Sequence, residues 1–163
     1  MARSESDIVQ DLVNKWISLG VEYGEAAPGI KTLYVYAASE SGIMHANVFY
    51  EQDGKVVYPD KLEGEGIDHD DVFKLQTLLL EDLEEAEAEF IESGVPCPTE
   101  YKITYETGPS RLDVQLSRDI KFSNDRDRIP EDGPEEWLDG RLPKVYGKTT
   151  PPQAKWSPKS WFG

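Results

Sequence analysis

The apolar positions of this chain follow two periods, and the switches between them lay out the fold. Ile8, Leu12, Trp16 and Leu19 recur every three or four residues, the spacing of a single buried helix stripe. Ser4, with Asp7 three residues on, resembles a capping box that sets an acid at the positive end of the helix. Gly20 reads as the stop. A loop with the breakers Gly24, Pro28 and Gly29 follows, and the period then shortens. Residues 32–37 are β-branched and aromatic, Ser39-Glu40-Ser41-Gly42 turns the chain, and residues 43–51 form a second strand. Asp53-Gly54 is a hairpin signal that returns residues 56–58 as a short third strand, ended by Pro59.

Beyond a polar loop, the spacing predicts a long helix from an N-cap at Asp68 to the breakers Gly94 and Pro96. Val72, Leu75, Leu79, Leu83, Ala86 and Phe90 make its narrow core stripe. A step of about 100° per residue places Asp70, Lys74, Thr77, Glu81, Glu84, Glu85 and Glu92 on the opposite side. Phe73, Leu80 and Ile91 form a second apolar line on one flank. Residues 101–105 and 112–116 alternate apolar with polar, as half-exposed antiparallel strands do, and join through residues 107–110. After Ser123 the periodicity fades. Six of the eleven prolines and three of the four tryptophans (Trp137, Trp156, Trp161) lie beyond residue 129, too aromatic for a disordered tail. The expectation is an extended arm docked on the body over Phe73, Leu80 and Ile91, with the last ten residues loose. The order predicts an α+β fold: an antiparallel β-sheet with an N-terminal helix and a long acidic helix packed on it, residues 1–122, plus a C-terminal arm, residues 123–163.

Composition narrows the function. The 163 residues, 38% of them hydrophobic, suffice for one domain with its own core. Acids outnumber bases by 32 to 17, a formal charge of −15, so bare DNA, RNA and anionic membrane repel the chain. A nucleic-acid or membrane partner is therefore not expected. Neither a run of about 20 apolar residues nor the apolar segment of a signal peptide is present, which points to the cytoplasm. The single cysteine, Cys97, excludes an internal disulfide and a multi-cysteine zinc site.

Catalytic chemistry finds few footholds. His45, on the Ile43-His45-Asn47-Phe49 strand face, reads as a half-exposed sheet residue, and His69 as a solvated residue of a first helical turn. Cys97, between two prolines, lacks an adjacent cation to lower its pKa. Asp68-His69-Asp70-Asp71 has ligand types but not the spacing of a calcium loop, and capping explains its acids. No glycine-rich phosphate loop is present, and with so many acids a close carboxylate pair has no specificity. The chain reads as a non-enzyme without metal or cofactor.

The charge itself is localised. Residues 60–106 carry fifteen acids and three bases, whereas residues 107–163 carry nine acids and ten bases. Glu81, Asp82, Glu84, Glu85, Glu87, Glu89 and Glu92 follow one another without an intervening Lys or Arg. Like charges three and four residues apart repel by a few tenths of a kcal/mol per pair. A solvated face is the plain reading. A basic partner would recover that repulsion as faster encounter and selectivity, with Glu81, Glu84, Glu85 and Glu92 as the partner-binding residues.

The element order also resembles the YezG-type immunity proteins, small α+β bacterial proteins of polymorphic toxin systems. The resemblance rests on the N-terminal helix with Trp16, on Leu33-Tyr34-Val35-Tyr36, and on Asn47-Val48-Phe49-Tyr50 before Asp53-Gly54-Lys55. A long helix and the hairpin between Tyr101 and Leu116 complete it, over roughly residues 8–122, and the Pro- and Trp-rich arm departs from the shorter family pattern. It implies an immunity protein that binds and neutralises a cognate secreted toxin, often a nuclease, and transfers no catalytic residues. Two other readings stand beside it: a small carboxylate-dependent enzyme, and an acidic adaptor or nucleic-acid mimic that meets a basic protein. The oligomeric state stays open.

Overall fold

The computed structural model describes residues 3–123, 129–138 and 141. Helix α1 (Glu5–Gly24) begins as its sequence predicts, with the Asp7 N–H donating to Ser4 Oγ at 3.1 Å. It does not stop at Gly20. That glycine is a packing position: a Cβ there would lie 2.8 Å from Leu33 Cδ2, and the Tyr50 hydroxyl donates to its carbonyl at 2.6 Å. The helix therefore runs one turn further.

Strands β1 (Ile30–Glu40) and β2 (Ile43–Gln52) are longer than their apolar runs, because the turn between them uses only Ser41 and Gly42. Their φ values of 48° and 84° make a primed turn, whose twist matches that of the flanking strands. Asp53-Gly54 repeats the device and returns β3 (Lys55–Val57). Asp68 caps a single 3-10 turn, His69–Asp71, so helix α2 (Val72–Glu92) starts later than the capping signal suggests. Strands β4 (Glu100–Glu106) and β5 (Arg111–Ser117) and a short helix α3 (Asp132–Trp137) follow.

The five strands lie in the order β3-β2-β1-β4-β5, every neighbour antiparallel. Alternation along each strand sends Leu33, Val35, Ala37, Ala46, Val48, Tyr50, Tyr101 and Ile103 to one face. There they meet Ile8, Leu12 and Trp16 of α1 and Leu75, Leu79, Leu83, Ala86 and Phe90 of α2. Trp16 locks the two helices together: its indole N–H donates to the Leu79 carbonyl at 3.0 Å, and its ring meets Tyr101 edge-on at 5.4 Å. The α+β architecture matches the sequence reading.

The opposite face is not the solvated one that the reading of His45 implied. It carries Tyr34, Tyr36 and Phe49, and Phe122, Trp137 and Leu138 cover it. Trp137 stands edge-on to Tyr34 at 5.6 Å and tilted to Tyr36 at 6.3 Å. Gly133 approaches Tyr36 so closely that any Cβ there would overlap the phenol. Glu40, 4% exposed, anchors the chain that leads to this cover: its carboxylate accepts the N–H groups of Lys121, Phe122 and Ser123 and the Ser123 hydroxyl. The beginning of the arm therefore docks on the sheet face away from α2. It does not cover the α2 flank, where Phe73 and Ile91 stay 79% and 73% exposed. Trp156, Trp161 and the last ten residues lie outside the described residues.

Candidate functional site

Helix α2 has three sides, set by the helical step. The first is the core stripe. The second faces α1 and carries Asp82, Glu85 and Glu89. Lys15 of α1 pairs with Glu85 at 2.7 Å, and Arg3 joins Glu89 to Asp11. The bases missing from the acidic stretch of α2 thus come from α1 and the residue run just before it, a tertiary compensation with no local signal. Compensation is partial: burial lifts the Asp82 carboxyl above its ordinary value, Glu85 and Glu81 push the same way, and Lys15 opposes them.

The third side faces outward and carries Glu81, Glu84 and Glu92, all exposed, beside exposed Phe73 and Ile91, while Leu80 on the same flank is half-buried against the core. Of the four acids singled out from sequence, three therefore share this open face, whereas Glu85 sits at its border, tied to Lys15. The sequence reading missed the apolar residues as part of the face, having assigned them a cover. A large apolar side chain at a solvent-facing helical position is the signal that identifies them. Apolar anchors with a rim of one charge are a common composition for a protein-binding surface.

A second concave feature lies at the β3 end of the sheet. There His45, Asn47, Phe49, Tyr58, Gln76 and Glu131 line a cleft of about 420 Å3. His45 Nδ1 lies 3.7 Å from Glu131, so this half-buried histidine faces the residue before α3 rather than open solvent. Burial lowers its pKa below the ordinary 6.5, and Glu131 works against that shift. The described lining contains no serine, threonine or cysteine to act as a nucleophile. His69 is exposed and its Nε2 contacts the Leu62 carbonyl at 2.8 Å. Burial, aided by Glu87, raises the Cys97 thiol above its ordinary value, the opposite of an activated thiolate. Among the described residues, no cluster of three or more His, Cys, Asp or Glu is placed to hold a metal, and no helix is long and apolar enough to cross a membrane. No family model matches this chain, and no curated protein matches it.

Proposed function

We propose that this chain is an immunity protein, a non-catalytic cytoplasmic inhibitor that neutralises a secreted polymorphic toxin of basic, nuclease-like surface. The outer face of α2 is the binding surface. The observation that carries the reading is the coincidence on one helix side of exposed Phe73 and Ile91 with exposed Glu81, Glu84 and Glu92. Keeping two large apolar groups in water has no return within the described fold, and a partner would desolvate them. The acids beside them would steer a basic surface into place and reject acidic ones. The resemblance to YezG-type immunity proteins supports the same reading from the sequence side.

The test begins with the basic protein that this chain captures from its source cells, assayed for toxicity with and without the chain. Reversing Glu81, Glu84 and Glu92 to Lys is expected to slow association by about tenfold or more, and added salt to slow the wild type in parallel. Phe73→Ser with Ile91→Ser is expected to act mainly on dissociation while leaving the melting temperature unchanged or higher. Unchanged rates and a flat salt response would remove α2 from the interface. The second reading, a small carboxylate-dependent enzyme, would use the His45–Glu131 cleft. It predicts instead that His45→Gln abolishes the protective effect while capture persists.

A further inference from the structure

The two edges of the sheet are finished differently. On the β3 side, the third strand covers Tyr50, Glu51 and Gln52, and the Val48 N–H beyond it donates to Asn47 Oδ1 at 2.9 Å. On the other side, β5 pairs only with β4 among the described residues. The direction of its peptide groups follows from the ladder. The Thr107 N–H donates to the Lys31 carbonyl at 3.0 Å, so Thr32 and Glu106 are a non-hydrogen-bonded pair and the peptide groups of Glu106 face β5. Alternation then turns those of Arg111, Asp113, Gln115 and Ser117 toward β4, and those of Leu112, Val114 and Leu116 outward. The side chains of these same three residues form, with Val9 and Val13 of α1, a groove of about 480 Å3. An unpaired edge beside an apolar groove, without a proline, bulge or central lysine to blunt it, is a template for another strand.

We propose that β5 is a self-association edge: two copies pair β5 against β5, antiparallel about a two-fold axis through Val114, and join their sheets into one. The register is self-complementary. Leu112 lies opposite the partner's Leu116 and Val114 opposite the partner's Val114, so each of the three outward peptide units meets another outward unit and the apolar row continues across the axis. On the other face Asp113 lies opposite the partner's Gln115 and Arg111 opposite the partner's Ser117, so no like charges oppose. Location favours a second copy as well. Chains of charge −15 repel, and contact is cheapest where charge is balanced. Around β5 the acidic charge is partly offset: Arg111 stands beside Glu106 and Arg118 pairs with Glu5 at 2.6 Å, leaving Asp113 and Asp119 as the excess. Helix α2 packs over β2 and α1, toward the other end of the sheet, so the dimer holds its two acidic helices apart and leaves their outer faces open.

Sedimentation of the full chain across a concentration series tests the proposal, with a dimer expected at twice the chain mass. Val114→Pro removes an N–H that β4 does not use, and is expected to give a folded monomer by circular dichroism. Should that variant unfold, the exposed Gln115 still reads the register: Gln115→Asp sets two acids against the partner's Asp113 and its symmetry mate, and should weaken the dimer about tenfold, while Gln115→Lys should tighten it by a similar factor. A wild type that stays monomeric at every concentration overturns the proposal. So does a dimer indifferent to the charge at position 115. A monomer whose Leu112, Val114 and Leu116 amides are protected from exchange would assign the edge to another segment and overturn it too.

Discussion

Both faces of the sheet are covered, the second over β1, β2 and β3 only, yet they are held by different physics. The helix-covered face is closed mainly by aliphatic side chains, with Trp16 and Phe90, in a buried cluster spanning two helices and three strands. Its stabilisation scales with the apolar area removed from water, and no single contact decides it. The other face is closed by a short segment with few apolar residues of its own, Phe122, Trp137 and Leu138. That cover depends on directional contacts: the hydrogen bonds to Glu40, the edge-on ring of Trp137, the close approach of Gly133, and the bonds of Glu100 with Tyr36 and Lys121. Area-driven burial tolerates sequence change as long as the pattern holds, whereas a cover built on a few bonds can be released by one substitution.

The widest gap between the faces should appear in the core. Leu83→Ala is expected to cost about 2–5 kcal/mol and to unfold the whole domain as one unit in a denaturant titration. Glu40→Gln keeps the shape and removes the charge from four bonds, a loss of about 2–3 kcal/mol that should first free the segment after β5. Hydrogen exchange would show the Lys121, Phe122 and Ser123 amides opening ahead of β1. Gly133→Ala is expected to cost about 1–3 kcal/mol and to expose the Leu138 amide without loosening α1, because the Tyr36 ring it strikes is fully buried. If exchange rises equally on both faces in either variant, the two are one cooperative unit and the contrast fails.

The smallest effect is the pH dependence carried by the second face. The folded His45 has a lowered pKa, so the unfolded chain binds its proton more readily. The corresponding stability is full above pH 6.5 and declines as the pH falls below that ordinary value. Glu40 and Glu100 behave alike at lower pH. Burial raises each, but hydrogen bonds from residues 121–123 to Glu40, and from Lys121 and Tyr36 to Glu100, outweigh it and leave both below 4.5. Their contribution therefore disappears only as the pH drops through the range below 4.5. From pH 6.5 down to 4.5, before the two glutamates titrate, melting temperatures should fall in the wild type and stay flatter in His45→Gln. Equal slopes would exclude His45 as the titrating group.

The first face was legible from sequence because periodicity is a local property: Leu75, Leu79, Leu83, Ala86 and Phe90 announce their burial by spacing alone. Gly20 reads as a stop in the sequence because a packing glycine and a stopping glycine look identical until Leu33 of β1 and Tyr50 of β2 meet it. The second face was hidden for a related reason. Glu40 has the composition of a turn residue, and its partners lie 81 to 83 residues away. One clue existed: Tyr34, Tyr36 and Phe49 are too apolar for an open sheet face, and they required a cover before one was known. In the candidate site, the exposure of Glu81, Glu84 and Glu92 followed from the helical step, while the capture of Glu85 by Lys15 spans 70 residues and could not.

The strand order has a kinetic corollary. Residues before the polar loop build α1 and the β1–β2–β3 meander, and those after it build the β4–β5 hairpin and α2, which packs back on α1 and β2, so within each half the strands pair with near neighbours. Only the β1–β4 ladder, with Thr32 against Glu106 at one end, zips the halves into a single sheet. The entropy of closing the long loop between the halves falls on this ladder together with the packing of α2 on α1 and β2, which makes the joining of the halves the natural rate-limiting event of folding. A chain nicked near Gly66 would still carry both halves entire, each able to find the other as a complementing fragment.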